Sequence, residues 1–305
     1  PDCSLHLLRA SMDALSCVWT HVRLERAAER LRASLEEEEQ VALAHVERVS
    51  FPAPSGLDVN MMPFRMSDLS TLPPSVRDGY GPMVEICLAT LSSEEIERVG
   101  YITVKESVVA AGETQRRAGM HTEGFIREAN DFTSRCVREP FWHSWGAGRP
   151  ITGGTFEGGI FMASSVSDSC HLWNVMIPRA LVGRGGDVEH LRATIEEVLK
   201  PPAQPRVCEG HMGGPTGSAT QDRDGKKARY PISMQANELF WISDQTPHES
   251  MPLRERQHRQ FFRLVTSKIG VWYSAHSTPN PFGIQPQAPI VESNKFFVNQ
   301  PERSR

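Results

Sequence analysis

A chain of 305 residues, 39% hydrophobic and 23% charged, has room for one large domain or two small ones and is too apolar for disorder over its whole length. Its net charge of −4, with the signs mixed, leaves no basic stripe for a nucleic-acid backbone and no polybasic segment for an anionic membrane, so a small-molecule partner is expected. No apolar run approaches the roughly 18 residues of a membrane span, and His6, Arg9 and Asp13 interrupt the N-terminal stretch before it could form a signal-peptide core.

The chain starts at Pro1 without Met, which leaves room for a removed leader. Its six cysteines, Cys3, Cys17, Cys87, Cys136, Cys170 and Cys208, include no C-x-x-C pair. Neither a zinc knuckle nor a dense disulfide framework is expected, and the cytoplasm or another reducing compartment is favoured.

Apolar residues at three- and four-residue steps (Leu5, Leu8, Met12, Leu15, Trp19, then Leu24, Ala28, Leu31, Leu35) predict a helical region over 5–48. Glu36 to Glu39 read as its solvated face. From Phe51 to Pro82 the prolines predict an irregular cover or linker. Met83 to Leu91 and Ser92 to Val99 read as helical, the second opening on Ser92-Ser93-Glu94-Glu95, suited to a helix N-terminus.

The texture then turns β-rich. Strands are predicted at 101–104, 107–109, 159–164, 172–177, 238–242, 260–265 and 271–273, separated by Gly and Pro turns. That spacing argues for a sandwich or barrel rather than a βαβ array. One helix is expected from Asp187 to Leu199, ended by Pro201 and Pro202. Residues 203–229 read as a long irregular loop, and the proline-rich tail after His276 as an extended surface wrap.

The chemistry centres on Gly119-Met120-His121-Thr122-Glu123-Gly124 and on Asp244-Gln245-Thr246-Pro247-His248-Glu249-Ser250. On a strand, His121 and Glu123 would face the same side, since side chains alternate with period two. With His248 they form a two-histidine, one-carboxylate set suited to an open-sided ferrous site. Such a pair also arises by chance, so the downstream sequence matters: after His248, Met251-Pro252-Leu253 makes a turn, and Arg259 opens a strongly apolar strand.

His121-x-Glu123, His248 and Arg259 resemble the H-x-[DE]…H…R set of the Fe(II)/2-oxoglutarate-dependent dioxygenases. The resemblance implies a mainly β fold with flanking helices: a double-stranded β-helix, or jelly-roll, over about 100–275. Residues 1–99 would be helical support and linker and 276–305 the tail, all within one domain, 1–305. It implies Fe(II) held by His121, Glu123 and His248, 2-oxoglutarate as co-substrate, and ascorbate as an optional reductant. The activity implied is oxidation of a small-molecule C–H bond by O2, by hydroxylation, desaturation or ring closure, with an amino-acid-derived acid as the attractive substrate. Glu123 stands where the family more often has Asp; a carboxylate at that position argues against halogenation.

Arginine suits the distal carboxylate of 2-oxoglutarate because its planar fork binds carboxylates bidentately. Arg259 and Arg263 face the same side of a regular strand, and Arg263 lies about 13 Å further from the turn. Arg259 is therefore preferred, leaving Arg263 for an ion pair at the surface or in the core. Arg116 or Arg117 could hold a substrate carboxylate at the mouth or serve as edge-strand charges.

By strand parity, Asn174 could face the cavity and His171 could be a substrate contact or packing. His143 belongs to an aromatic cover, His190 to a helix and His211 to the irregular loop. Gly183-Arg184-Gly185-Gly186 lacks the context of a phosphate loop. Two other readings stand beside the oxygenase. One is a cupin-like metal protein, an isomerase or non-catalytic sensor, that leaves Arg259 on its surface; the other is an interaction protein working through 5–48.

Overall fold

A computed structural model describes residues 41–127, 141–150, 155–199 and 231–292, together with Glu29. The acidic run Glu36 to Glu39, the irregular loop 203–229, His211 and most of the region read as helical over 5–48 lie outside the described residues.

In chain order the strands are β1 (Leu43–Arg48), β2 (Asp58–Arg65), β3 (Val99–Val109), β4 (Phe125–Arg127), β5 (Phe141–His143), β6 (Arg149–Pro150), β7 (Phe156–Glu157) and β8 (Ile160–Ser164). They continue as β9 (Cys170–Leu172), β10 (Ile232–Ser233), β11 (Glu238–Ile242), β12 (His248–Ser250), β13 (Gln257–Val265), β14 (Trp272–Tyr273) and β15 (Ile290–Val291). The helices are α1 (Pro74–Leu88), α2 (Ser93–Ile96) and α3 (Arg192–Leu199). The fold is thus mainly β, and no helix among the described residues is long and apolar enough to cross a membrane.

Six strands form one antiparallel sheet in the order β1-β11-β8-β13-β3-β2, and three form a second, β10-β9-β12. Alternation along β13 gives the large sheet two apolar faces. Phe262 and Leu264 join Phe161, Ala163, Leu239 and Trp241 against Val76, Tyr80, Met83 and Val84 of α1. Phe261 and Val265 join Met162, Phe240 and Ile242 on the opposite face, against Cys170 and Leu172 of the small sheet. Each Val, Leu, Ile, Met or Phe side chain among them, once buried, contributes about 1.5–3 kcal/mol. The result is three layers: helix, large sheet, small sheet.

Several expectations are corrected. Residues 43–48, read as helix, form β1, paired antiparallel with β11. Residues 51–82 are not irregular throughout: they hold β2 and the start of α1. Proline is tolerated in both because Pro63 lies in β2, an outer strand of the sheet, and Pro74 occupies the first helical turn, where a missing N–H removes no bond. Pro82 sits on the exposed side of α1, where water can reach the carbonyl it frees. The strand read at 172–177 is β9, ending at Leu172, and the helix read from Asp187 begins as a 3-10 turn at Glu189–Leu191. Ser92 does cap α2, accepting from the Glu95 amide at 3.4 Å.

Glu106 of β3 ties the layers together. Its carboxylate accepts from the amides of Ser55 (2.7 Å), Gly56 (2.5 Å) and Leu57 (3.0 Å), from the Tyr80 hydroxyl (2.6 Å) and from Gln260 Nε2 (3.2 Å). Burial alone would raise its pKa, but the Tyr80 hydroxyl and these amides hold it at about 2 against an ordinary 4.5. A depressed carboxylate contributes stability that is complete above its unfolded pKa and is lost as pH falls towards the folded one. Acid titration of unfolding free energy should therefore reveal a loss of about 3 kcal/mol between pH 4.5 and 2, absent in Glu106→Gln. Parallel acid curves for the two proteins would contradict this role.

Candidate functional site

The loop between β3 and β4 carries His121 and Glu123. His121 lies outside any regular strand, contrary to the sequence expectation, and makes an isolated antiparallel bridge to His248 at the start of β12. Each donates its amide to the other's carbonyl, at 3.0 and 2.9 Å. The loop is held from its other side by Gly186, whose carbonyl accepts from the Thr122 amide at 2.8 Å. At Gly186, φ is +86° and a Cβ would lie 2.2 Å from Thr122 O, so only glycine allows this approach. The segment discounted as a phosphate loop thus serves to hold the His-x-Glu backbone.

The bridge sets the two imidazoles side by side, with ring centroids 4.5 Å apart and planes tilted by 55°. His121 Nδ1 faces Gly119 O at 2.7 Å and His248 Nδ1 faces Thr246 O at 3.0 Å. These carbonyls assign the ring protons to Nδ1 and leave Nε2 as the lone-pair nitrogen of each ring, the arrangement that second-shell partners impose on metal-ligating histidines. Burial, followed by the charges of His248 and Arg117, holds His121 well below the usual histidine range. Neutral His121 is thus the stable form.

Glu123 Oε1 lies 3.8 Å from His248 Nε2 and is in contact with Arg263 Nη1. In donor chemistry, two imidazole nitrogens and a carboxylate fit a ferrous ion. In arrangement they do not yet close on one point. Among the described residues no group of three or more His, Cys, Asp or Glu side chains is placed to hold a metal ion, and Glu123 is engaged by Arg263.

All three candidates line one cavity of about 420 Å³, together with Arg116, Arg117, Arg259 and Arg263. Arg259 is 1% exposed and donates to Ser164 Oγ at 3.1 Å through Nε and to Ser250 Oγ at 3.2 Å through Nη1. No carboxylate among the described residues pairs with it. Burial lowers its pKa to about 10 and raises the nearby Cys170 thiol to about 12, so the thiol supplies no counter-charge. Arg117 donates to Gly185 O at 2.7 Å and lies 4.0 Å from Asp187. Arg116 is half-buried, its guanidinium 5.3 Å from the centroid of the Phe261 ring.

Other sequence candidates lie apart from the cavity. On β9 it is Cys170 that lines it, while His171 sits with Nδ1 3.9 Å from Glu249. Asn174 Oδ1 accepts from the Ala42 amide at 3.3 Å. His143 is buried and stacked on Phe125, and His190 falls in the 3-10 turn before α3.

Behind the histidines, Arg192 at the start of α3 binds Glu249 (3.0 and 2.6 Å) and Glu189 (2.5 and 2.8 Å). Glu189 in turn accepts from the Met120 amide at 2.9 Å. One guanidinium thus links the neighbours of His121 and His248. Arg192 holds the Glu189 carboxyl down at about 2.

Sequence reading missed several lining residues. Ser250 and Phe261 were legible through parity with His248 and with Arg259 and Arg263. Asn60 and Met61 were not: they line the cavity through a bulge in β2, with Met61 at φ +49°, and nothing in the local pattern marks it.

No protein-family model matches the chain, and no curated protein matches it either. Among solved structures it is similar to HygX from Streptomyces hygroscopicus with iron bound, at 12% identity and a TM-score of 0.31, over 77% of this chain and 86% of that one. It is also similar to apo HygX from the same organism, at 11% identity and a TM-score of 0.25, over 77% and 85% of the two chains. Likeness at that level defines neither a shared site nor an activity.

Proposed function

We propose that this chain is an Fe(II)- and 2-oxoglutarate-dependent oxygenase with a double-stranded β-helix core, using O2 to oxidise a C–H bond of a small molecule. The observation that carries the reading is one cavity lined by two histidines presenting Nε2, a carboxylate and a buried arginine that has no acid partner among the described residues. The strand path supports the fold. From β3 the chain passes to the His121 bridge beside β12, back to β8, across to β9 and β10, back to β11, across to β12 and back to β13. Such alternation between two facing antiparallel sheets is the pattern of a jelly-roll.

In this reading His121 and His248 would hold the metal through Nε2, with Glu123 as the third ligand once it is released from Arg263. Iron would supply the dioxygen chemistry that no side chain offers. Arg259 holds the distal carboxylate of 2-oxoglutarate, its fork oriented by Ser164 and Ser250. Met162, Trp145 and Phe261 line the same space and limit the access of water. The cupin-like alternative without 2-oxoglutarate leaves the arginine on its surface, and the burial of Arg259 favours the oxygenase. Anaerobic titration with Fe(II) and then 2-oxoglutarate should bring up a weak visible metal-to-ligand charge-transfer band that neither component gives alone. A wild-type protein without that band is not a 2-oxoglutarate oxygenase.

A further inference from the structure

The cavity has more positive charge than the co-substrate reading uses. Among the described residues four guanidinium groups line it against one carboxylate, Glu123. In the metal-free protein Arg263 is paired with Glu123 and donates to Thr103 Oγ1 at 3.4 Å, Arg117 is turned to Gly185 O and Asp187, and Arg259 is assigned to 2-oxoglutarate. Arg116 remains. No carboxylate among the described residues forms an ion pair with it; the charges that act on it from further off are Arg263 and Arg259, opposed by Glu123 and Asp58.

Arg116 is also held in place. The Gln115 side chain, through Nε2, donates to Lys105 O (3.3 Å), Ser107 Oγ (2.9 Å) and Arg259 O (2.9 Å), pinning the loop across β3 and β13. The same loop is tied at Gly112 to Leu253 O (2.8 Å) and, through the Ser250 amide, at Arg117 O (3.3 Å). The backbone on both sides is therefore fixed, and the Arg116 guanidinium rests over Phe261. That ring is shared with Arg259, whose guanidinium carbon is 5.7 Å from the same centroid. A half-buried cation with no acid in contact gains when an anion binds it directly. Burial, then Arg263, lowers the Arg116 pKa to about 10, although Glu123 and Asp58 act the other way.

We propose that Arg116 is the anchor for the carboxylate of the primary substrate, a second anion subsite beside Phe261, separate from the co-substrate's at Arg259. The inference rests on the oxygenase reading. One planar guanidinium fork set over an aromatic ring matches a monocarboxylic acid with an apolar body better than a doubly charged phosphate ester.

The full chain, loaded anaerobically with Fe(II) and 2-oxoglutarate, is titrated calorimetrically with benzoate, phenylacetate and hexanoate, each against its neutral amide, and with phenyl phosphate. At least one acid should bind about tenfold more tightly than its amide, as a charge-assisted hydrogen bond allows, and more tightly than phenyl phosphate. Arg116→Gln should abolish that preference while leaving 2-oxoglutarate affinity within about twofold; Arg116→Lys should keep part of it, and Arg117→Gln all of it. No acid preference in the wild type, a preference that survives Arg116→Gln, or tighter phenyl phosphate binding would each overturn the substrate assignment. Loss of 2-oxoglutarate binding in Arg116→Gln would merge the two subsites and overturn it as well. A wild type that binds no 2-oxoglutarate defeats instead the oxygenase reading on which the inference stands.

Discussion

Replacing Arg259 by methionine should cost 2-oxoglutarate affinity at least about thirtyfold, and up to several thousandfold, while leaving the protein as stable as the wild type or more so. The first half follows from geometry: a side chain 1% exposed, forked between Ser164 and Ser250, is a buried cation of the cavity with neither an acid partner nor a backbone carbonyl among the described residues. Removing one member of a desolvated charge pair costs about 2–5 kcal/mol, which sets the range. The second half follows from the same isolation. In the free protein Arg259 is an uncompensated buried charge, and an apolar replacement of similar volume relieves it. Calorimetric titration and a denaturant midpoint read the two effects separately. Unchanged affinity would remove Arg259 from the co-substrate site, and a large loss of stability would make it structural.

Arg263→Met has the opposite signature. Arg263 neutralises Glu123, a carboxylate 7% exposed and adjacent to His248. Without it the metal-free protein keeps a buried carboxylate beside two imidazoles, and breaking such a pair costs about 3–5 kcal/mol. If Glu123 is a metal ligand, Fe(II) supplies the missing positive charge. Added anaerobically at a hundred times its dissociation constant, it should restore about 2.7 kcal/mol, and the variant should bind it more tightly than the wild type, because no arginine competes for Glu123. Denaturant unfolding with and without Fe(II) decides the matter. A destabilised variant that the metal does not rescue would leave Glu123 as Arg263's partner and remove it from the ligand set. These two strand neighbours, four residues apart, are thereby distinguished by their partners, which alternation alone left equivalent.

Much of this was legible in the chain. Period two along β13 put Arg259, Phe261 and Arg263 on one face and Phe262 and Leu264 on the other, because a pleated strand allows no other arrangement. The apolar run at 238–242 is β11, and the residue types at 121, 123 and 248 named a candidate chemistry before any fold was known. Local pattern failed where a long-range partner decided the outcome. Leu43–Arg48 reads as helix by periodicity, but pairing with β11 makes it a strand. His121 reads as a strand residue, but its position comes from one bridge to His248 across 127 positions of sequence and from the close approach of Gly186. Asn60 and Met61 enter the cavity through a bulge that no composition signals.

The sequence by itself thus determined the inventory: two histidines, one acid and a set of arginines on alternating, largely apolar strands. Only the tertiary structure decided which charges meet, because pairing depends on distances that are set when sheets stack and loops are pinned. It gave Arg263 to Glu123, turned Arg117 to Gly185 and Asp187, and left Arg259 and Arg116 in the same cavity without an acid partner among the described residues.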